Sequence, residues 1–205
     1  MKVAVVAIRD ADYLNIDPKA SFELAGDDAL IIRLPCKELE NLLLLDATTV
    51  ASAAKKAAEA RATETATEPK FPSEAEVEVT IAQVSQMPFV RQTIEDQWIV
   101  QWFKVRGKLS DAGQLAEARR EFETRWQNLA WRRRCCPGKA ILRRVRQWLQ
   151  AEPWKLSVSP KQLFDAFEPD AELRSLFDKV QEYVDRVLPA NREAVQNRAS
   201  QTGSP

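Results

Sequence analysis

Hydrophobic positions change their period several times along this chain, and each change predicts a different element. Val3–Ile8 is an apolar run flanked by charge, which reads as a strand. Ser21–Leu24 and Ala29–Leu34 read as the arms of a hairpin around Ala25-Gly26-Asp27-Asp28, and Pro35 stops the second arm. Lys37–Leu43 has the leucine spacing of a short helix that can cover one sheet face. From Asp46 to Pro72 Ala, Thr, Lys and Glu dominate, with Val50 and Phe71 the only larger apolar residues. Alanine favours helix, but with no stripe to bury the segment is expected to be a linker. Val77, Val79 and Ile81 then alternate with Glu76, Glu78 and Thr80, the mark of a strand with one buried face that could rejoin the first sheet.

From Pro88 the spacing becomes helical. Val90, Ile94, Trp98, Trp102 and Val105 share a face, widened by Ile99 and Phe103, before Gly107. Ser110 is a candidate N-cap for a second helix, with Leu115, Ala118, Phe122, Trp126 and Leu129 in one stripe, ending at Cys135-Cys136-Pro137-Gly138. Ile141, Leu142, Val145, Trp148 and Leu149 define a third helix closed by Pro153. Ser159-Pro160 opens a fourth, and Pro169 a fifth that carries Leu173, Leu176, Phe177, Val180, Val184, Val187 and Leu188. The expected fold is α+β, a small N-terminal β-rich unit plus a C-terminal bundle of about five helices. The expected boundaries are 1–45 for the unit, 46–72 for the linker, 73–188 for a strand plus helical domain, and 189–205 for a disordered tail.

With 205 residues, 45% of them hydrophobic, and six Trp, most of the chain should fold. Apolar runs such as Asn41–Asp46 and Ile99–Val105 fall far short of the ~20 residues that cross a bilayer. The opening Met1–Asp10 has one Lys and too short an apolar run for a secretory signal, so a cytoplasmic protein is expected. Cys36, Cys135 and Cys136 form no disulfide framework and fit reduced thiols. The chain has no His, which removes His-based triads and His-ligated zinc chemistry.

Residues 3–45 carry a resemblance. The strand ending Ala7-Ile8-Arg9, the step Ile16-Asp17-Pro18, the turn Leu24-Ala25-Gly26-Asp27, the strand Leu30-Ile31-Ile32 and the helix Glu38–Leu43 together resemble the second half of an RCK C-terminal (TrkA-C) domain. That regulatory module occurs in cytosolic parts of potassium channels and transporters, so the resemblance implies a regulatory role linked to ion transport. The family's opening strand and helix are missing here, as is the Rossmann domain that usually precedes the module. No glycine-rich phosphate loop occurs among the five glycines, and no ligand residues carry over. A half-module needs a complementing strand, from Glu76–Val84 or from a second copy of the chain, which would make a homo-oligomer through the N-terminal unit.

Charge is balanced only in total. Residues 1–100 hold 10 basic and 17 acidic groups, residues 101–149 hold 13 and 4, and residues 150–205 hold 7 and 9. Trp98, Trp102, Trp126, Trp131, Trp148 and Trp154 lie in or beside the basic stretch. On a helical wheel Arg143, Arg144 and Arg146 point away from the apolar face of their helix, and Trp131 falls about 140° from the Phe122–Trp126–Leu129 stripe, near Arg120 and Arg134. The candidate partner-binding residues are therefore Arg120, Trp131, Arg132, Arg133, Arg134, Lys139, Arg143, Arg144 and Arg146. An acidic protein partner or an anionic membrane surface would suit them. Nucleic acid bound along the basic helices 111–149 is the alternative, and pairing with the chain's own acidic ends is the structural one. No catalytic residue, metal site or cofactor is indicated. Asp27-Asp28, Glu38/Glu40 and Glu121/Glu123 do not converge on a helix face, and the Asp-rich segments lack calcium-loop spacing. Arg132, Arg133, Arg134 and Lys139 around Cys135-Cys136 leave open a thiol of lowered pKa. The expected role is a non-enzymatic regulatory or adaptor protein.

Overall fold

The computed structural model describes residues 5–9, 21–24, 29–106, 112–171 and 173–186. Three strands, β1 (Val5–Arg9), β2 (Ser21–Leu24) and β3 (Ala29–Arg33), form one small sheet in the order β1-β3-β2. β1 pairs parallel to β3 with Val5 opposite Ala29, and β2 pairs antiparallel with Ser21 opposite Arg33. The other elements are helices: α1 (Leu39–Leu42), α2 (Ala47–Thr65), α3 (Glu74–Ser85), α4 (Pro88–Arg106), α5 (Ala112–Trp126), α6 (Leu129–Cys135), α7 (Gly138–Gln150), α8 (Pro160–Ala166) and a helical stretch over 173–186, α9.

This overturns the expected α+β class. Helix dominates the described residues, and three strands of four or five residues do not make a β-rich domain. The expected boundaries shift as well. The described residues before Cys36 and from Pro169 onward, hence the sheet and α9, belong to one compact unit; Cys36–Glu168 is the other. The boundary expected after residue 45 falls inside the second unit, where α1 packs on α6 and α7. The turn at 25–28, the cap at Ser110 and the tail from 189 lie outside the described residues.

The expected linker is the 19-residue α2. Asp46 caps it by accepting from Thr48 N at 2.9 Å, and its buried face is Ala47, Val50, Ala51, Ala54 and Ala58, a helical stripe built of small residues. Large apolar residues are not needed there, because alanines favour helix and let a neighbouring helix approach closely. α2 packs on α3 and α8. It ends at Ala66, a non-glycine residue with φ 50°.

The expected strand at 76–84 is helix too. Ser73 and Glu76 form a reciprocal capping box that opens α3, and Val77, Thr80, Ile81 and Val84 are buried at 3.6-residue spacing. Val77 and Ile81 fit both periods. Val79 decides between them, since it stands 54% exposed where a strand would have buried it.

The helix from Pro88 buries Val90, Ile94, Trp98, Trp102 and Phe103, while Val105 faces solvent. The stretch expected as one second helix is two, α5 and α6, because Asn128 breaks the run and caps α6 by accepting from Trp131 N at 3.1 Å. α7 buries Ile141, Leu142, Val145 and Leu149. Ser159 and Gln162 form the capping box of α8, with Pro160 at its first turn. The core of the Cys36–Glu168 unit joins α2, α3, α4, α5, α6, α7 and α8 through Val50, Ile81, Ile94, Trp98, Phe122, Trp131, Ile141, Leu149 and Leu163.

Candidate docking surface

The basic stretch divides into a buried half and an exposed half. The new helix start at Asn128 rotates Trp131 away from its extrapolated direction, into the core. Trp131 is 8% exposed and meets Trp98 edge-on at 5.9 Å and Phe122 at 6.2 Å, so the expectation of a displayed indole is corrected. Arg132 and Arg133 are corrected with it, being 5% and 8% exposed. Arg132 donates to the carbonyl of Trp126 and lies 5.5 Å over that ring, and burial pushes its pKa below the ordinary arginine value. Arg133 Nη1 donates to Leu45 O at 2.9 Å, while Nη2 sits 2.5 Å from Glu78 Oε1 without aligned hydrogen-bond geometry, which makes this contact an ion pair. Neither guanidinium is open to a partner.

Around these arginines Asn41 locks α1 to the α6–α7 turn. Its amide donates to Arg133 O at 2.7 Å and Cys136 O at 3.0 Å, and its Oδ1 accepts from Glu38 N at 2.9 Å. Glu38 in turn accepts from Lys139 N at 2.9 Å, so the carboxylate at the N-cap of α1 also caps the start of α7. Gly138 permits this approach, since a Cβ there would lie 2.8 Å from Asn41 Oδ1 and 2.9 Å from Asn41 N. Nothing about Asn41 stands out in sequence, where it sits within a run of leucines.

The thiols belong to the same buried corner. Cys36, Cys135 and Cys136 form no disulfide and are fully enclosed. Burial is the main influence on both neighbours: it drives Cys135 well above its ordinary value and Cys136 up to about 12, with Asn41 opposing weakly at Cys136. The thiolate-favouring setting expected from four nearby cations is thus reversed.

What remains exposed lies mainly on α7. Arg143 and Arg144 face solvent. α7 itself contains no acidic residue, and neither arginine has an acidic partner among the described residues. Arg144 reaches Gln147 Oε1 at 3.5 Å and lies 6.0 Å over the Phe89 ring, itself 43% exposed. The other candidates are less free. Lys139 is exposed, with Nζ 3.9 Å from Glu40; Arg146 Nε donates to Val158 O at 2.6 Å; Arg134 is half-buried and its carbonyl accepts from Lys37 N at 2.7 Å. Arg120 is exposed on α5, apart from these. Elsewhere cations are taken up internally: Arg91 pairs with Glu123 at 2.5 Å and lies over Phe122 and Trp126, and Arg106 pairs with Glu121 at 2.9 Å.

Phe89 and Val79 are surface residues that sequence reasoning passed over. Reading 74–85 as helix would have exposed Val79 as the apolar residue off the stripe. Among the described residues no group of three or more Cys, Asp or Glu is placed to hold a metal, and no helix is long and apolar enough to cross a membrane. No family model matches the chain, and neither a curated protein nor a solved structure matches it.

Proposed function

We propose that this chain is a non-enzymatic regulatory or adaptor protein that docks an acidic segment of a partner protein on the solvent face of α7. One observation carries the reading: Arg143 and Arg144 project from a helix without carboxylates, beside an exposed Phe89, while the other arginines around them are turned inward or engaged. Arg and aromatic residues together favour binding hot spots. A nucleic-acid reading needs a longer basic track. Arg132 and Arg133 are buried, and Arg119 on α5 lies 3.7 Å from Glu95, so fewer cations remain for phosphates. The resemblance of residues 3–45 to the RCK C-terminal module points to a partner in ion transport, on the strength of that resemblance alone.

The test compares retention of the wild-type protein and the double variant Arg143→Gln/Arg144→Gln on an immobilised Glu/Asp-rich peptide, on heparin and on anionic vesicles, as salt is raised. Salt-sensitive retention on the acidic peptide that the variant loses, with its melting point unchanged, is the expected result. Stronger retention on heparin or on vesicles would replace the protein partner by nucleic acid or by a membrane surface. Equal retention of wild type and variant would remove α7 from the function.

A further inference from the structure

Beside the α7 arginines the fold leaves an apolar groove of about 500 Å³, lined by Ala75, Glu76 and Val79 of α3, by Trp148 of α7, and by Pro153 and Trp154. Trp148 and Trp154 meet edge to face, 6.1 Å apart at 72°, and Val79 stands 54% exposed at the side. Trp148 follows Arg144 by four residues, so the two occupy one face of α7. Arg144 lies over Phe89 just past the end of α3, whereas Trp148 lines the groove together with Ala75 and Glu76 near its start. α7 therefore runs opposite to α3, and Arg144 stands one helical turn beyond the Trp148 wall of the groove, outside its lining.

Its two ends differ in charge. At the far end Glu76 accepts from Ser73 N and Ser73 Oγ at 2.8 Å, bonds that hold its carboxyl below the usual range and keep it ionised. Past the opposite, Trp148 side stands Arg144, one turn along α7, with Arg143 next to it on the solvent face of the helix. Carboxylates entering this groove are repelled from one end and attracted to the other, and this charge complementarity selects both an occupant and its direction.

We propose that the acidic segment docked by α7 is amphipathic: it seats one bulky apolar side chain between Val79, Trp148 and Trp154 and lays its carboxylates against Arg144 and Arg143. This rests on the reading that α7 docks an acidic segment. The apolar anchor supplies affinity by burial, and the arginines supply rate and orientation.

Three fluorescent peptides test it by anisotropy: a Glu/Asp-rich peptide with a central Trp, the same peptide with Ser for Trp, and the Trp peptide with Gln/Asn for every acid. The full-length protein is compared with Val79→Glu, Val79→Ser and Arg143→Gln/Arg144→Gln, each checked for unchanged helical circular dichroism. The acidic Trp peptide should bind best. Removing its Trp should weaken it about tenfold, Val79→Glu should do likewise, Val79→Ser should fall between, and the arginine variant should abolish its salt dependence. If the Ser peptide binds equally well and Val79→Glu changes nothing while the arginine variant loses binding, the groove is overturned and acidic docking stands. If the uncharged Trp peptide binds as well as the acidic one and the arginine variant is silent, acidic docking itself falls, and this inference with it. Binding of none of the three overturns both.

Discussion

Arg132-Arg133-Arg134 on α6 and Arg143-Arg144 with Arg146 on α7 are near-identical charge runs with opposite fates. On α6 the first two guanidinium groups lie inside, against Trp126, Leu45 O and Glu78. On α7 the first two lie outside, without an acidic partner among the described residues. The difference comes from what surrounds each run. α7 carries its own wide apolar stripe, Ile141, Leu142, Val145 and Leu149, which turns the arginines outward. α6 has only seven residues, and its orientation is set by the Asn128 cap, by Trp131 packed on Trp98 and Phe122, and by the carbonyls and the carboxylate within reach. A cationic run beside tryptophans thus holds the fold together in one helix and stays available in the next.

Truncating the two runs should separate them most sharply. Arg133→Ala removes the hydrogen bond to Leu45 O and the partner of the half-exposed Glu78, and should destabilise the fold by about 2 kcal/mol in urea melts. Arg143→Gln/Arg144→Gln should stay within about 0.5 kcal/mol of wild type. Equal losses would erase the distinction.

The corner that anchors α6 gives the next effect. Gly138→Ala drives a methyl group into Asn41, part of it backbone that cannot yield, and should cost about 2 kcal/mol by thermal unfolding. Asn41→Ala takes the amide donor from the carbonyls of Arg133 and Cys136, leaving Arg133 O only the weak Cys136 thiol, and should cost a similar amount. A loss in both variants with α7 binding retained would show that the buried run serves only the fold.

The thiols sharpen the same point by pH. Cys136 is held at about 12 in the folded chain, above its ordinary value of 9.0. The folded state therefore keeps a proton that the unfolded state releases, and the stability this contributes is full below pH 9 and is lost as pH rises from 9 toward 12. The melting temperature should decline across that alkaline range. Ellman's reagent should find no reactive thiol in the native protein at pH 8 and all three after unfolding. Rapid native labelling of Cys136 would mean that the corner is open.

The smallest effect lies far from both runs. Ala66 closes α2 in the left-handed region, at φ 50°, where a side chain is disfavoured. Ala66→Gly should raise stability by about 0.5–1 kcal/mol, read as a higher urea midpoint.

The outward face of α7 was legible because five apolar residues at helical spacing define its inner side without reference to any neighbour. The helix starts at Pro88 and Ser159-Pro160 were legible for a similar reason, since their signals act within four residues. α2 was not legible as core, because alanine buries little area and its value lies in how closely α3 and α8 approach. α3 was read as a strand because Val77, Val79 and Ile81 satisfy the shorter period, while the Ser73–Glu76 capping box and the burial of Val84 favour the longer one. Trp131 was misplaced by extending the α5 wheel through Asn128, where the helix restarts. The groove at Trp148 and Trp154 involves residues from three segments, which no local pattern connects.

By itself the amino-acid sequence determined where α4 and α8 begin, which side of α7 meets water, and that a basic, Trp-rich stretch lies between acidic ends, because capping, periodicity and charge act over a few neighbouring residues. Only the tertiary structure decided that Arg132, Arg133 and Trp131 are interior, that the cysteines are shielded, and that Val79 joins two indoles in a groove. Those outcomes depend on partners up to 95 residues away, as between Asn41 and Cys136, and burial is a property of the packed whole.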